Sequence, residues 1–189
     1  MWSACCANVL RRCGCRDPGY HCFRTLTSHK AAVNMIQAND EVIVSVSGDH
    51  GAIVWDLKTG EELRHLVGHQ RGIACVYLRG NYVVTGSSDF TAKVWDYRSG
   101  KLLNTLRGHT HLVRCLTFND RILLTGSYDT TIIAWDWRTG TELFKFNEFR
   151  DAKVYKMQFD ENKIISCGER NAVHMRSFTA VDAATASGL

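Results

Sequence analysis

The sequence has a single proline, Pro18, and no run of 18 apolar residues among its 189 residues. The lack of such a run excludes a membrane-spanning helix of ordinary length. Fifteen glycines against one proline indicate many tight turns between short elements rather than a proline-rich linker. With 45% hydrophobic and 22% charged residues, the composition is that of a globular protein and not of a chain disordered throughout.

The chain also carries little net charge, and that charge is unevenly placed. The formal charge is +4, of which residues 1–24 carry +3 through four arginines and one aspartate. Residues 25–189 hold 19 basic and 18 acidic side chains. Nucleic-acid binding needs a clustered basic surface, which this balanced segment does not indicate. We therefore predict no nucleic-acid partner and no membrane partner.

Five of the eight cysteines lie within the first 22 residues, and the other three stand singly in apolar segments. No disulfide framework spans the chain, and the basic residues follow the short uncharged N-terminal stretch instead of preceding it as in a secretory signal. These features predict a reducing compartment: the cytoplasm, with the nucleus as an alternative. A transit peptide in residues 1–16 and acylation of Cys5 and Cys6 are two further interpretations.

A zinc site is a competing interpretation of the N-terminal segment. Its candidate ligands are Cys5, Cys6, Cys13, Cys15, His21 and Cys22. Their spacing is adjacent or Cys-x-Cys, whereas strong zinc motifs pair cysteines as Cys-x-x-Cys. We therefore predict a disordered leader over residues 1–20 and no metal or other cofactor. A zinc-binding N-terminal module supported by the remaining chain is kept as an alternative function.

An internal repeat of 40 residues is the strongest signal in the sequence. The pair Trp-Asp begins at Trp55, Trp95 and Trp135. The same offset superposes Gly68-His69 on Gly108-His109, and it also superposes a Thr-Gly-Ser run on its copy. So many aligned positions indicate a repeated structural unit.

Each period consists of four short segments rich in β-branched and aromatic residues. In the third period they are Val113 to Phe118, Ile122 to Ser127, Thr131 to Trp137 and Glu142 to Phe146. Clusters of turn-forming residues separate them. The pattern predicts a four-stranded antiparallel sheet for each period. Because one sheet cannot cover both of its faces, neighbouring sheets should pack face to face.

These positions resemble the WD-repeat β-propeller family, whose blades open with Gly-His and close their third strand with Trp-Asp. The resemblance covers residues 21–178 and implies an all-β propeller of about four blades' worth of four-stranded antiparallel sheets, in a small or incomplete ring. The repeats span 29–66, 69–106 and 109–146, followed by a degenerate repeat over 149–178. We expect residues 179–189 to form a disordered tail, and the chain to be a fragment or a short isoform.

The ends of the array predict how the ring would close. Residues 22–26 match residues 102–106 at an offset of 80, so we expect a lone fourth strand ahead of the first repeat. The degenerate repeat supplies three strands, over 153–159, 163–168 and 172–178. In the family, a terminal strand from one end commonly pairs with three strands from the other.

The resemblance also implies three buried hydrogen-bonded sets, each made of a His, a Ser or Thr, an Asp and a Trp. The sets are His29, Ser45, Asp49 and Trp55; His69, Thr85, Asp89 and Trp95; and His109, Thr125, Asp129 and Trp135. In each set the carboxylate can accept from the imidazole, the imidazole from the hydroxyl, and the hydroxyl from the indole N–H. Removing one member should cost about 1 to 3 kcal/mol, so Asp129→Ala is expected to impair folding.

The same residue types occur in nucleophilic triads, and a hydrolase using a His/Thr/Asp set is a second alternative. A triad needs one copy in an open pocket with an oxyanion site. Here the set recurs three times at constant spacing, which favours a structural role. The sequence has no Gly-rich phosphate loop, no His-Glu-x-x-His motif and no paired acidic motif. We therefore predict that the protein is not an enzyme and has no catalytic residues.

Function is then expected on the rim where the inner strands begin. In the family, partner contacts favour the residue before the turn aspartate and the residues flanking the aliphatic at the start of the first strand. The positions selected here are Arg114, Tyr128, Lys153 and Tyr155. Arg and Tyr are common in binding hot spots, and a basic pair suits an acidic or phosphorylated peptide.

Short turns followed by a Thr-Gly-Ser-x-Asp run are similar to those of the F-box/WD-repeat substrate receptors of ubiquitin ligases. That resemblance implies a propeller that binds a degron peptide. The sequence thus predicts a non-catalytic scaffold that binds a protein or peptide and recruits substrates to a ubiquitin ligase, with ligase components among its partners.

Overall fold

The computed structural model describes residues 24–147, 152–160, 162–169 and 172–177, and every regular element within these ranges is a β-strand. The strands are β1 Val33–Ala38, β2 Val42–Ser47, β3 Ala52–Asp56, β4 Glu62–Leu66, β5 Ile73–Arg79, β6 Tyr82–Ser87, β7 Thr91–Asp96, β8 Lys101–Arg107, β9 Val113–Phe118, β10 Leu123–Ser127, β11 Ile132–Asp136, β12 Thr141–Phe146, β13 Val154–Phe159, β14 Lys163–Gly168 and β15 Val173–Ser177. The all-β prediction is confirmed. Across these ranges the chain contains no helix able to cross a membrane.

The strands form four antiparallel sheets in chain order. Strands β1–β4, β5–β8 and β9–β12 make four-stranded sheets, and β13–β15 make a three-stranded sheet. Within each sheet, every strand pairs with the next one along the chain, because short β-branched segments alternate with tight turns. The turn after the third strand ends at Gly60, Gly100 or Gly140, with φ between +70° and +79°. Glycine adopts this left-handed conformation without steric cost.

Three apolar layers fill the spaces between consecutive sheets. The layer between the second and third sheets includes Val94, Leu116 and Trp135, all of them buried. Equivalent layers lie between the first and second sheets and between the third and fourth sheets. The innermost strands follow one another, β1 beside β5, β5 beside β9 and β9 beside β13. The sheets therefore pack face to face in sequence, as the blades of a propeller do.

The predicted closing strand is not formed by the residues that the structure describes. Residues 24–26 belong to no strand, and the fourth sheet contains only its three strands. The remainder of that prediction, with the leader over 1–20 and the tail over 179–189, lies outside the described ranges. Ile36 of β1 is 61% exposed and Met175 of β15 is 73% exposed. In the part of the chain that the structure describes, the four sheets form an incomplete propeller whose first and last sheets each leave one face uncovered.

Candidate functional site

A continuous chain of hydrogen bonds crosses the second sheet. The Trp95 indole N–H donates to Thr85 Oγ1 at 2.9 Å, and this oxygen lies 2.8 Å from His69 Nε2. His69 Nδ1 lies 2.8 Å from Asp89 Oδ2. Because the Thr85 hydroxyl accepts from the indole, its own proton points to His69, and Nδ1–H is left to donate to the carboxylate.

The first and third sheets contain the same chain. Its members are His29, Ser45, Asp49 and Trp55 in the first sheet, and His109, Thr125, Asp129 and Trp135 in the third. In both sheets the indole-to-hydroxyl distance is 2.8 Å, the hydroxyl-to-Nε2 distance is 2.8 Å and the Nδ1-to-carboxylate distance is 2.9 Å. One local arrangement is thus repeated three times.

The aspartate of each set accepts several hydrogen bonds at once. Asp89 accepts the backbone N–H of Gln70 at 2.9 Å and the Thr91 hydroxyl at 2.6 Å, besides its contact with His69. Burial raises the pKa of Asp89, but these hydrogen bonds outweigh burial and bring the pKa to about 2. The pKa of Asp49 is also about 2, because burial is again outweighed by hydrogen bonds, chiefly from backbone N–H groups.

The imidazole of the second set is held in its neutral form. Burial lowers the pKa of His69 below its usual value, and the neighbouring Asp89 opposes that shift only in part. The side chain of His69 has no solvent exposure. The second set is therefore best described as an ionised carboxylate surrounded by donors, one of them a neutral imidazole.

Two further kinds of residue that take part in these sets had not been predicted. Thr91 and Thr131 donate their hydroxyls to the turn aspartate at 2.6 Å. Three serines at the end of the second strand donate to a carbonyl of the preceding loop at 3.0 to 3.1 Å: Ser47, Ser87 and Ser127. Both kinds of residue recur at the 40-residue offset, so the repeat itself could have identified them. Gly51 occupies the threonine position of the first set, which lacks this donor.

The hydroxyls of these sets are not open to a substrate. The distances match those of a nucleophilic triad, but Thr85 and Thr125 are fully buried. The oxygen of Thr85 already accepts the Trp95 N–H, and a catalytic nucleophile needs an open approach and an oxyanion site. The geometry supports a bracing role, and it gives the hydrolase alternative no accessible nucleophile in these sets.

The fourth sheet differs at the equivalent positions. Its strand register places Ser166 where the third sheet has Thr125, and Arg176 where the third sheet has Trp135. The Arg176 guanidinium lies over the Phe146 ring, 5.1 Å from its centroid. The expected counterparts of the histidine and the aspartate, positions 149 and 170, lie outside the described ranges.

Four rings form a continuous row along the loops at one rim of the sheets. We call Phe90, His111, Tyr128 and Tyr155 the aromatic row. Successive ring centroids are 5.8, 5.9 and 5.7 Å apart. The row begins in the second sheet, crosses the loops of the third and ends on β13 of the fourth. It is one surface built from three repeats.

Two cations flank the aromatic row. The Arg71 guanidinium carbon lies 5.9 Å from the centroid of Phe90, and Lys153 Nζ lies 5.6 Å from the centroid of Tyr128. Lys153 also pairs with Glu169 at 3.3 Å, and both side chains are more than two-fifths exposed. An ion pair so open to solvent is weak, so Lys153 can exchange Glu169 for an incoming anion.

The structure brings three of the four predicted contact residues together. Tyr128 contacts both Tyr155 and Lys153 at the end of the aromatic row. Arg114 lies half-buried on β9 and, among the described residues, makes no ring contact or ion pair with these three. Three members of this surface had not been predicted: Arg71, Phe90 and His111. From the sequence, only the position of these residues in the rim loops, close to the His and Asp of each set, could have identified them.

Phe90 has an unusual backbone conformation. Its φ is +71°, like that of His50 and Thr130 at the same turn position. The left-handed region costs a residue with a Cβ atom about 1 to 2 kcal/mol. The Phe90 side chain is 37% exposed. A large exposed aromatic at a strained turn position is evidence for a surface role rather than for core packing.

A cavity of about 460 Å³ lies at the opposite rim, between the β1–β2 turn and the turn after β7. Arg98 pairs there with Glu41 at 2.8 Å. The remaining lining includes Asp40, Lys58 and Arg64, so its charges largely compensate one another. This cavity selects neither an anionic nor an apolar ligand, and the aromatic row is the stronger candidate site.

The candidate zinc ligands of the N-terminal segment lie outside the described residues. In the part of the chain that the structure covers, no group of three or more His, Cys, Asp or Glu side chains is placed to hold a metal ion. Cys75 and Cys115 are buried in the apolar layers, and burial raises the pKa of the Cys115 thiol to about 12. Both thiols are therefore protonated and inert at neutral pH.

Comparison with known proteins identifies the repeat. Residues 20–56, 60–96 and 100–136, more than half of the chain, match the WD40 model described as "WD domain, G-beta repeat". No curated protein matches the sequence.

Similar solved structures include two computationally designed proteins. The Ika4 protein is 31% identical with a TM-score of 0.76, over 82% of this chain and 96% of the Ika4 chain. The Ika8 protein is 31% identical with a TM-score of 0.76, over 82% of this chain but only 48% of the Ika8 chain. The chain therefore spans about half the length of Ika8.

Proposed function

Because the chain belongs to the WD40 repeat family, we propose that it is a non-catalytic scaffold that binds a protein or peptide partner along the aromatic row. WD40 repeats generally mediate protein–protein interactions, which supports an interaction role. The observation that carries the proposal is the continuous contact of four rings from three repeats, flanked by Arg71 and Lys153. Aromatic and arginine side chains supply most of the binding energy at protein interfaces.

The charges around the aromatic row favour an acidic or phosphorylated peptide. Arg71 and Lys153 provide two cations that lie against rings of this surface. The nearby carboxylates of Asp89 and Asp129 already accept hydrogen bonds from their own sets. Phosphate and carboxylate groups form strong charge-assisted hydrogen bonds with Arg and Lys, and the rings accept neighbouring apolar side chains.

A peptide-library experiment tests the proposal. Immobilised protein is offered three libraries that differ only in a central phosphothreonine, glutamate or unmodified threonine. We expect enrichment from the phosphorylated and acidic libraries, and weaker binding as salt rises. Lack of enrichment over the unmodified library would contradict the partner class.

Matched variants locate the binding surface. We expect at least a tenfold loss of affinity for Tyr128→Ala and Lys153→Glu, and a smaller loss for Arg114→Glu. Phe144→Ala serves as the aromatic control, because Phe144 is as exposed as Phe90 but lies on β12, outside the row. Lys101→Glu on β8 is the charge control. Equal losses in the controls, or none in the row variants, would exclude the aromatic row as the site.

Recruitment of substrates to a ubiquitin ligase is a finer part of the proposal, supported by the turn pattern described above. A cytoplasmic or nuclear location would accompany it. Co-purification of ligase core subunits with the tagged chain, and imaging of the chain in intact cells, test these two points. Loss of the recruited substrate in Lys153→Glu, with the ligase subunits retained, is the expected result. Absence of ligase subunits would reject this part and leave peptide binding standing.

A further inference from the structure

The first sheet exposes an apolar side chain at a position that is buried in the other three sheets. Ile36 of β1 is 61% exposed. In every sheet one residue of the first strand pairs with the Ser or Thr of the second strand, and in the first sheet that residue is Ile36. The residues at this position in the other three sheets are at most 7% exposed: Val76, Leu116 and Met157. The difference is that each of these three faces a preceding sheet, whereas Ile36 faces no sheet formed by the described residues.

The fourth sheet shows the same difference at the other end. Val173 and Met175 of β15 are 69% and 73% exposed. Their counterparts in the earlier sheets are at most 4% exposed: Ala52, Val54, Ala92, Val94, Ile132 and Ala134. Those six residues face a following sheet, whereas no sheet within the described ranges follows the two on β15.

At every interface between consecutive sheets, the first-strand residue equivalent to Ile36 packs with the third-strand residues equivalent to Val173 and Met175. The groupings are Val76 with Ala52 and Val54, Leu116 with Ala92 and Val94, and Met157 with Ile132 and Ala134. By the same repeat, the matching partners of Ile36 are Val173 and Met175. The two ends are therefore complementary halves of one further interface between sheets.

The backbone at the two ends is complementary as well. A Cβ atom built at Gly60 would meet Arg24, just as one built at Gly100 would meet Arg64 of β4. Strand β4 is the outer strand of the sheet that precedes Gly100, so residues 24–26 take the place of an outer strand for a sheet preceding the first. The fourth sheet is the one with only three strands.

We propose that two copies of the chain pack end to end, the fourth sheet of each against the first sheet of the other, and close a ring of eight sheets. A head-to-tail contact must either close into a ring or continue as a polymer. Propellers contain roughly 4 to 8 blades, so two copies of four sheets fall within the range and three copies exceed it. In that ring β15 of one copy lies beside residues 24–26 of the other. The match of this chain to about half of the Ika8 chain shows that such an arc can be part of a longer protein.

The mass of the full chain in solution tests this proposal. Light scattering after size exclusion, with reductant present to prevent cysteine crosslinks, should give twice the chain mass of 21.3 kDa across a series of protein concentrations. The variants Ile36→Asp and Met175→Asp should each shift the mass to that of one chain with an unchanged β circular-dichroism spectrum. Leu103→Asp should remain paired, because Leu103 is 44% exposed on β8 of an internal sheet.

A double variant with opposite charges distinguishes loss of the interface from misfolding of the single variants. Ile36→Asp combined with Met175→Lys places opposite charges across each interface and should restore the pair. A wild-type chain that stays single at every concentration would overturn the proposal, as would a series of masses of three or more chains. Equal dissociation of Leu103→Asp would show that the association is not through the ends.

Discussion

The third and fourth sheets occupy equivalent places in the repeat but are stabilised differently. In the third sheet Trp135 is buried and donates its indole N–H to Thr125. In the fourth sheet Arg176 stands at the same register position, is exposed, and stacks on Phe146. A guanidinium cannot enter the apolar layer without losing its hydration, so it stays at the surface.

The space at this position is also filled differently. A cavity of about 10 Å³ lies beside Arg176, with Ile132 and Ser166 among its lining residues. The indole of the third sheet supplies both apolar area and the first donor of the polar chain. In a blade, packing and hydrogen bonding therefore both depend on the tryptophan of the third strand, and both change when another residue replaces it.

The largest effect is expected for Trp135→Ala. It removes a buried aromatic side chain and leaves Thr125 without its donor, which should lower the free energy of unfolding by about 3 to 5 kcal/mol. Urea unfolding measures this loss. Arg176→Ala at the equivalent position of the fourth sheet should cost less than about 1 kcal/mol. Equal costs at the two positions would remove the distinction between the sheets.

Asp129→Ala should have the second largest effect. His109 and Thr131 lose their acceptor, as does the backbone N–H of Thr110. The free energy of unfolding should fall by about 1 to 3 kcal/mol, measured by thermal or urea unfolding. The control is Asp120→Ala, since Asp120 is exposed and its ion pair with Arg79 contributes little. A cost for Asp129→Ala no greater than that of the control would show that the set does not brace the sheet.

Acidification should weaken the braced sheets in two steps. The pKa of His69 is lower in the folded protein than in the unfolded chain, so the unfolded chain binds more protons and stability falls as the pH drops below about 6.5. The pKa values of Asp49 and Asp89 are lowered to about 2, so their stabilisation is present above their ordinary pKa and is lost as the pH falls towards 2. Urea unfolding at several pH values between about 7 and 3 follows both steps. A free energy that rises on acidification would contradict these signs.

The smallest effect is expected for Thr131→Val, which removes one donor to Asp129 and keeps the branched shape. The free energy of unfolding should fall by about 0.5 to 1.5 kcal/mol. Thr110→Val is the control, because its side chain is exposed and its backbone N–H still donates to Asp129. If neither variant lowered the free energy of unfolding, Thr131 would have no stabilising part in the set. The third set would then resemble the first, in which Gly51 stands at this position.

The strands were largely predictable because their signals are local. The segment expected over Thr131 to Trp137 forms β11 over Ile132–Asp136, and the one over Ile122 to Ser127 forms β10 over Leu123–Ser127. The alternation of β-branched residues with turns determines such boundaries to within a residue or so. Of the closing strand predicted over 22–26, the described residues 24–26 form no strand, because a strand depends on a partner far along the chain.

The candidate site was predictable only in part. Tyr128, Lys153 and Tyr155 stand at positions that a resemblance can select. Phe90 and His111 join them because loops of different repeats approach one another when the sheets pack, and no pattern within one repeat reports that approach. The 40-residue period could, however, have revealed Thr91 and its copy.

The sequence by itself determined the repeat, its four short strands and the residues that brace each sheet, because a period and a turn are properties of neighbouring residues. Only the tertiary structure decided which rings meet at the rim and which apolar faces stay uncovered. Both outcomes depend on how successive sheets are positioned against each other. That geometry arises from packing across distant segments of the chain.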